Sequence, residues 1–573
     1  MENVNKKYIV VGAVAGGASA AARLRRLDEH ASIILFEKGA YVSYANCGLP
    51  YYIGNVIEDR NKLFVQTAQS FHERFNIDVR IQTEVIAVNP EKKEITARDV
   101  LTGNIYIESY DKLVLSPGAE PVVPPFPGVQ SNKIFTLRNV PDTDTIKSFV
   151  SSKKNAKALV IGAGFIGLEM AENLHHLGHE VTVVEMNNQI LAPLDFPIAA
   201  IAQQHLREKG LELMLNTAVE SFEDKGETLL VNFKGGMQME VDYVILSIGV
   251  RPDTRLAAAA GLQIGEARGI VVNEYLQTTH PDIYAVGDAI EFKHPITQKI
   301  GNTFLAGPAN KQGRICANNI VFNNTNIYNG AINTAIVKLF DLTVGTTGMA
   351  AKHLKAAGIS YLVSTTRSSS HASYYPNSKQ ITIQITFSPD TKKLLGAQVI
   401  GEDGADKRLD ILATLIKNNG TIYDLTELEH AYAPPYSSAK DPVNMAGFVA
   451  ENILNGILKV EQWDGFETTF AADENAMMID VRNPDEVMSG AMEGSINIPL
   501  DTLRSNLNNI PKDKTIFVYC AVGLRGYLAQ RILMQSGYKN VINLSGGYNL
   551  WNVCKTELQL SEKNIQHKSV ELV

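Results

Sequence analysis

Tyr8-Ile9-Val10-Val11-Gly12-Ala13-Val14-Ala15-Gly16-Gly17 is the stretch whose reading decides the fold. Its four leading apolar residues suit a buried parallel strand. The glycine turn and Ala18–Leu27 predict a tight bend opening into a helix. A second strand, Ser32-Ile33-Ile34-Leu35-Phe36, ends at Glu37, 20 residues past Gly17. In that context the turn brings backbone N–H groups and a helix N-terminus to a pyrophosphate, and the acid accepts from a ribose hydroxyl. Gly12, Ala15, Gly17, Glu37 and the adjoining Lys38 are therefore candidate cofactor contacts, with Val14 standing where the motif has its middle glycine.

The pattern recurs. Ala158-Leu159-Val160-Ile161 runs into Gly162-Ala163-Gly164-Phe165-Ile166-Gly167, a complete fingerprint, and Val181–Val184 ends at Glu185, 18 residues past Gly167. The segment Asp111–Pro121 parallels Asp242–Pro252, each a strand closing on a glycine (Gly118, Gly249) and a proline. Pro281–Ala289 then supplies a strand ending on Asp288, placed to bind a polyol hydroxyl. Two nucleotide-binding folds, the second inserted within the first, account for this order. Ala306 and Pro308, in Leu305–Asn310, open a further helix. Glu185 accepts from a 2′-hydroxyl and repels a 2′-phosphate, and Met186–Gln189 brings no arginine, so NADH is expected, with NADPH the alternative.

Length implies three or four domains for 573 residues. A net charge of -8 excludes the concentrated basic surface that nucleic acid requires. Four cysteines are too few for a disulfide framework and fit a reducing compartment. Lys6-Lys7 before an apolar run imitates an export signal, but the strand–turn–helix reading accounts for the same residues. No stretch reaches the length of a membrane helix. A cytoplasmic protein with no metal site and no membrane contact is expected.

Val42-Ser43-Tyr44-Ala45-Asn46-Cys47-Gly48-Leu49-Pro50-Tyr51-Tyr52 holds one cysteine, and the next is Cys316. A thiol with an ordinary pKa is mostly protonated at neutral pH, so a working Cys47 needs a helix N-terminus or a positive neighbour. The bland alternative is a small buried hydrophobe. With no cysteine nearby, its oxidised forms are a mixed disulfide, a persulfide or a sulfenic acid.

The order of these motifs over residues 7–455 resembles the two-dinucleotide-binding-domain flavoprotein disulfide reductases. The resemblance implies FAD on the first unit and the Gly287-Asp288 segment, and a nicotinamide cofactor on the second. Ser43–Tyr51 is similar to the active-site motif of coenzyme A-disulfide reductases, in which the cysteine pairs with coenzyme A; Tyr44 stands where phenylalanine is common. His371–Pro376 and Ala431–Pro442 resemble that group's signature stretches, with Asn377 in place of a frequent glycine. This implies Tyr374 and Tyr432 near the cysteine of the opposite subunit of a homodimer, as proton donors or hydrogen bonds to the leaving thiolate. It also implies coenzyme A contacts at Ser19, Arg23, Arg26, Ser43, Asn46 and Lys440. Arg23 and Arg26 lie three apart on one helix and suit phosphates; solvated surface charge is the plainer reading.

Beyond Trp463-Asp464-Gly465 the pattern changes. Met477–Asp480 and Thr515–Tyr519 read as strands, and Cys520-Ala521-Val522-Gly523-Leu524-Arg525-Gly526 as a loop opening a helix. Such a loop is a nest of N–H groups that stabilises a thiolate or the outer sulfur of a persulfide. The segment resembles a rhodanese domain, including Asp480-Val481-Arg482 and Gly546-Gly547-Tyr548, which implies a catalytic Cys520 with Arg525 adding positive charge. Cys316 and Cys554 carry no motif and read as structural.

The expected architecture is α/β. It comprises a FAD-binding domain (1–155 and 276–329) enclosing a nicotinamide-binding domain (156–275), and an α+β dimerisation domain (330–458). A rhodanese domain (459–560) and a loose tail (561–573) follow. The expected activity is FAD- and coenzyme A-dependent NAD(P)H reduction of persulfides, polysulfides or coenzyme A disulfide, with the rhodanese module feeding the reductase. The rivals are a single-cysteine NADH oxidase or peroxidase, and a redox or sulfur sensor.

Overall fold

In the computed structural model, which describes residues 6–570 and side chains to residue 562, the opening apolar runs pair as the centre of an all-parallel sheet. Lys7–Val11 bonds Ser32–Phe36 on one side and Lys112–Leu115 on the other. Asp78–Arg80 and Ile283–Ala285 form the edges. Ile9, Val10, Leu113 and Ile283 are wholly buried, as strands covered on both faces require. The last strand joins from far along the chain, so the second nucleotide unit is inserted into the first.

The glycine turns are dictated by packing. A Cβ on Gly17 would lie 1.8 Å from Gly12 O, and one on Gly167 2.0 Å from Gly162 O. Gly12 (φ +94°) and Gly162 (φ +101°) hold a left-handed backbone that a side chain would strain. The first helix begins at Ala15, three residues before the expected start, because the turn itself is already helical. In the second unit Lys157–Ile161 pairs in parallel with Tyr243–Leu246, which pairs with Ile134–Phe135. Val219–Asp224, Leu229–Phe233 and Gln238–Val241 form an antiparallel meander.

The chain divides into two compact units, one of residues 1–183, 219–233 and 238–333, the other of 184–218, 234–237 and 334–573. In the second, an antiparallel sheet has the order 335–339, 342–348, 394–401, 380–387, 362–369. Three of its five strands are legible in the sequence; Leu362–Ser369, rich in Ser and Thr, lacks an apolar alternation to mark it. Asp195 is the hub that ties the 184–218 segment to this sheet. Its carboxylate is 6% exposed and accepts from Ala351 N (2.9 Å), Lys352 N (3.0 Å), Gln384 Nε2 (2.7 Å) and Gln398 Nε2 (2.7 Å). Asp195→Ala leaves several buried donors unpaired and is expected to cost about 3 kcal/mol. The check is a lower first thermal transition; an unchanged one would mean that other groups satisfy those donors.

The C-terminal sheet is all parallel, in the order 460–461, 541–544, 515–519, 476–480, 495–497. The expected loose tail needs correction: the helix Gly547–Val570 continues through most of it, and residues 571–573 lie outside the described residues. Its polar composition suggested no packing partner. Yet Glu557 and Ser561 are both buried, and Gln203 Nε2 donates to Glu557 Oε2 at 3.0 Å while Asn216 bonds Ser561.

Candidate active site

Residues 46–48 form a single 3-10 turn, closed by Gly48 N donating to Ala45 O, and the Leu49–Ile53 helix follows. Cys47 on this turn is exposed, whereas Cys316, Cys520 and Cys554 are buried. Solvent reaches the residue, but enough protein surrounds it that burial, ahead of the Glu169 and Asp288 charges, pushes its thiol up. Of the two aids the sequence called for, a helix N-terminus or a positive neighbour, no positive group acts on it, and two acids do. Glu169 comes from the Phe165–His176 helix and accepts from Tyr51 Oη at 3.1 Å. Burial lifts its carboxyl to about 7, against that hydrogen bond and with Glu172 adding to the rise.

Glu169 has a pH signature. Its proton stays on in the folded protein to about pH 7 but leaves an exposed carboxyl near 4.5. Over that window the folded state holds more protons, so this group's stabilisation is full below 4.5 and lost as pH rises through 7. Glu169→Gln is expected to gain about 1–3 kcal/mol over the parent above pH 7 and nothing below 4.5. The same substitution removes one repelling charge, so the pH midpoint of Cys47 alkylation by iodoacetamide moves down. An unmoved midpoint would show that the two groups are uncoupled.

Around the turn, Arg138 is a central cation that sequence reasoning missed. Its Nε donates to Ala119 O at 2.5 Å. In the orientation that satisfies both partners, the Asn46 amide accepts from Arg138 Nη1 (3.2 Å) and donates to Arg138 O (3.0 Å). Asp288 sits on a short turn after the 283–285 strand. Burial raises its carboxyl, Arg138 opposes this, and it makes no hydrogen bond within the described residues. It is an open acceptor. Glu37, by contrast, is already engaged: Oε2 accepts from Ala13 N (3.0 Å) and Oε1 from Gly39 N (2.8 Å). Lys38 faces Glu120 at 3.7 Å. Gly118 has φ +75°, with Arg138 Nη2 2.6 Å from where its Cβ would lie.

The helix Ala306–Phe322, which starts with Ala306 and Pro308, packs on Ala15–Leu27 so closely that a Cβ on Gly313 would meet Gly16 O at 2.3 Å. That contact assembles a basic cluster. Burial, then the Arg314 and Arg26 charges, push the Arg23 guanidinium down, and none of the three has a carboxylate partner among the described residues. Arg23 Nε donates to Asn318 Oδ1 at 3.0 Å, and Ser19 bonds Asn310. Ser43 holds a left-handed backbone (φ +44°). In the second nucleotide unit, Gly164 and Gly249 each have open space where a Cβ would be. Glu185 follows the Glu180–Val184 strand, and its Oε1 accepts from Asn187 N (2.9 Å) and Nδ2 (2.7 Å).

Tyr374, Tyr432 and Lys440 belong to the second compact unit, where the two tyrosine hydroxyls lie 3.1 Å apart. Both rings are exposed, 75% and 49%. In the same unit Cys520 ends the Thr515–Tyr519 strand, and its Sγ accepts from Gly523 N at 3.1 Å. Arg525 brings positive charge to Cys520 and shares it with a carboxylate. It forks onto Glu486, with 2.6 Å to each oxygen, and this pairing holds Glu486 at about 2. Beneath the loop Arg482 pairs with Asp480 out of solvent and stacks on Tyr548, 4.1 Å from the ring centroid.

Residues 6–312 match the pyridine nucleotide-disulphide oxidoreductase family, residues 334–442 its dimerisation domain, and residues 468–554 the rhodanese-like domain. The chain belongs to the pyridine nucleotide-disulphide oxidoreductases. It is 37% identical over 445 residues to a coenzyme A disulfide reductase of Staphylococcus epidermidis, covering 78% of this chain and 100% of that one. Reduced CoADR-RHD of Bacillus anthracis superposes with a TM-score of 0.94 at 48% identity, over 96% of this chain and 99% of that one. A NAD-dependent persulfide reductase from A. fulgidus gives 0.89 at 36%, over 95% and 100%.

The residues of this oxidoreductase fit the cofactors its family implies. The open Asp288 acceptor and the turn at the Ala15 helix end suit a flavin dinucleotide. The open space at Gly164, at the start of the Phe165 helix, suits the pyrophosphate of a nicotinamide dinucleotide. Arg314 joins a basic cluster of which the sequence revealed only Arg23 and Arg26. The signal available was the helix opened by Leu305–Asn310, but nothing local says which face of it meets Arg23.

Proposed function

We propose that this oxidoreductase is a flavin- and coenzyme A-dependent NADH reductase of small persulfides, polysulfides and coenzyme A disulfide, fed with sulfane sulfur by its rhodanese-like domain. The observation that carries the reading is Cys47, the exposed thiol among four free cysteines, with no cysteine partner in the chain. When bound, the flavin and nicotinamide supply an electron pair and coenzyme A supplies a second sulfur.

The chain's own residues do the rest. Gly12, Ala15, Gly17, Glu37, Lys38, Gly118, Asp288, Ala306 and Pro308 hold the flavin nucleotide. Gly162, Gly164, Gly167, Glu185 and Gly249 hold the nicotinamide nucleotide, with Glu185 favouring a free 2′-hydroxyl. Ser19, Arg23, Arg26, Ser43, Asn46 and Lys440, joined by Arg314, bind the coenzyme A. The Cys47 sulfur attacks the S–S bond of the substrate, forms a new S–S bond to one half, and expels the other half as a thiolate. Tyr374 and Tyr432, reaching in from the second copy of a homodimer, give that thiolate its proton. Two electrons and a second proton then break the bond at Cys47 and release the second thiol. On the rhodanese-like domain the Cys520 loop accepts sulfane sulfur, and covalent linkage keeps it at high effective concentration. Free thiols in all four cysteines support a cytoplasmic location.

Intact mass measurement of the non-reduced protein is expected to find coenzyme A disulfide-bonded to Cys47. NADH consumption is expected to need a sulfur acceptor. Equal consumption with oxygen or peroxide alone would replace this reading with an oxidase.

A further inference from the structure

Tyr374 and Tyr432 have little of their own to hold them: both rings are exposed, and neither loop contains helix or strand. Local turns brace each loop, with Ser378 Oγ donating to His371 O at 3.1 Å and Tyr436 N to Ala433 O at 2.9 Å, and one buried guanidinium reaches both loops. Arg408, on the Ala405–Lys417 helix, is 1% exposed, and Asp441, which caps the Pro442–Leu454 helix, is 0% exposed. Arg408 donates to Asp441 Oδ2 from Nε (3.1 Å) and Nη2 (2.7 Å), and from Nη2 to Ser370 O (2.7 Å). Ser437 Oγ donates to the same Asp441 Oδ2 at 2.6 Å, and Ala372 N donates to Ser437 O at 3.0 Å, stitching the two loops together. Burial opposes the Asp441 charge, but Arg408 and Ser437 hold its carboxyl below the ordinary range. Tyr374 lies four residues after Ser370, and Tyr432 five before Ser437.

We propose that the buried Arg408–Asp441 pair is the positioning element of the tyrosine pair, fixing the 370–376 and 432–440 loops in one register so that the two hydroxyls share a hydrogen bond. The inference rests on the proton-donor reading of those tyrosines. Buried ion pairs add little net stability over apolar residues of the same volume, and fixing a register is their best-attested use. Neither residue touches a reacting atom. The planar fork of arginine reaches Asp441 and a backbone carbonyl at once, which the point charge of lysine does not reproduce.

The test uses the full-length, flavin-loaded protein. Removing Arg408 outright threatens folding, so Ser437→Ala, which cuts only the side-chain tie of the 432–440 loop, is the first variant, and Arg408→Lys the second. Each is expected to lower kcat about tenfold with an unchanged KM for the sulfur substrate. In a Tyr374→Phe/Tyr432→Phe background Ser437→Ala is expected to cost nothing more. An equal loss in both backgrounds, or a lower melting temperature with parental kcat, would overturn the positioning role alone. Parental activity in the double phenylalanine protein would overturn the tyrosine reading, and the clamp's role with it.

Discussion

Cys47→Ser is expected to abolish NADH-driven reduction of coenzyme A disulfide and persulfides, by about 1,000-fold or more. The other three cysteines are buried, and burial pushes Cys316 and Cys554 above any useful range. No second thiol can take over. A serine hydroxyl neither forms the S–S bond nor leaves from one, so electrons delivered to the flavin have no exit. Nucleotide binding is expected to survive, because Gly12, Gly17 and Asp288 owe their placement to the sheet and not to the 46–48 turn. Anaerobic titration with NADH should therefore still reduce the flavin, while turnover with any sulfur acceptor vanishes. Residual turnover above about a tenth of parental would mean that electrons leave by another route.

Cys520→Ser should separate the two chemistries. Sulfur transfer from thiosulfate to cyanide is expected to fall by about 1,000-fold, because the loop holds only one sulfur at the Gly523 amide. Persulfide reduction from bulky donors is lost with it. Reduction of coenzyme A disulfide is expected to stay within about twofold of parental, since the loop packs in a separate core and shares no residue with the Cys47 turn. A Cys520→Ser protein with full activity on bulky persulfides would remove the delivery role. A parallel loss on coenzyme A disulfide would show that the variant had damaged the reductase itself.

Much of the site could be read because its parts are local. The Gly12 and Gly162 turns, the acid Glu185 and the Cys520 loop each depend on neighbours a few residues away, and Glu37 on the turn one strand–helix unit before it. Asp288 was legible as the end of a strand. Arg138, Glu169, Arg314 and Arg408 were not, since each looks like an ordinary surface charge in its own segment. Arg23 and Arg314 are 291 residues apart (314 minus 23) and meet only because glycines let two helices touch backbone to backbone. The Cys47 surroundings were not legible for the same reason: a helix N-terminus or a cation was called for, and the fold brings acids there from two distant segments. Arg525, read as adding positive charge beside Cys520, does act on that thiol, but the sequence did not show that it is also paired with Glu486.

By itself the sequence determined the nested parallel sheets, the solitary thiol and the appended sulfur-transfer loop. These follow from strand periodicity, glycine sterics and residue identity, which act along the chain. Only the tertiary structure decided which way the Cys47 and Glu169 titrations shift, the three-arginine cluster, and the clamp under the tyrosines. Desolvation and Coulomb interactions depend on distance in space, and packing alone sets which distant groups come within reach.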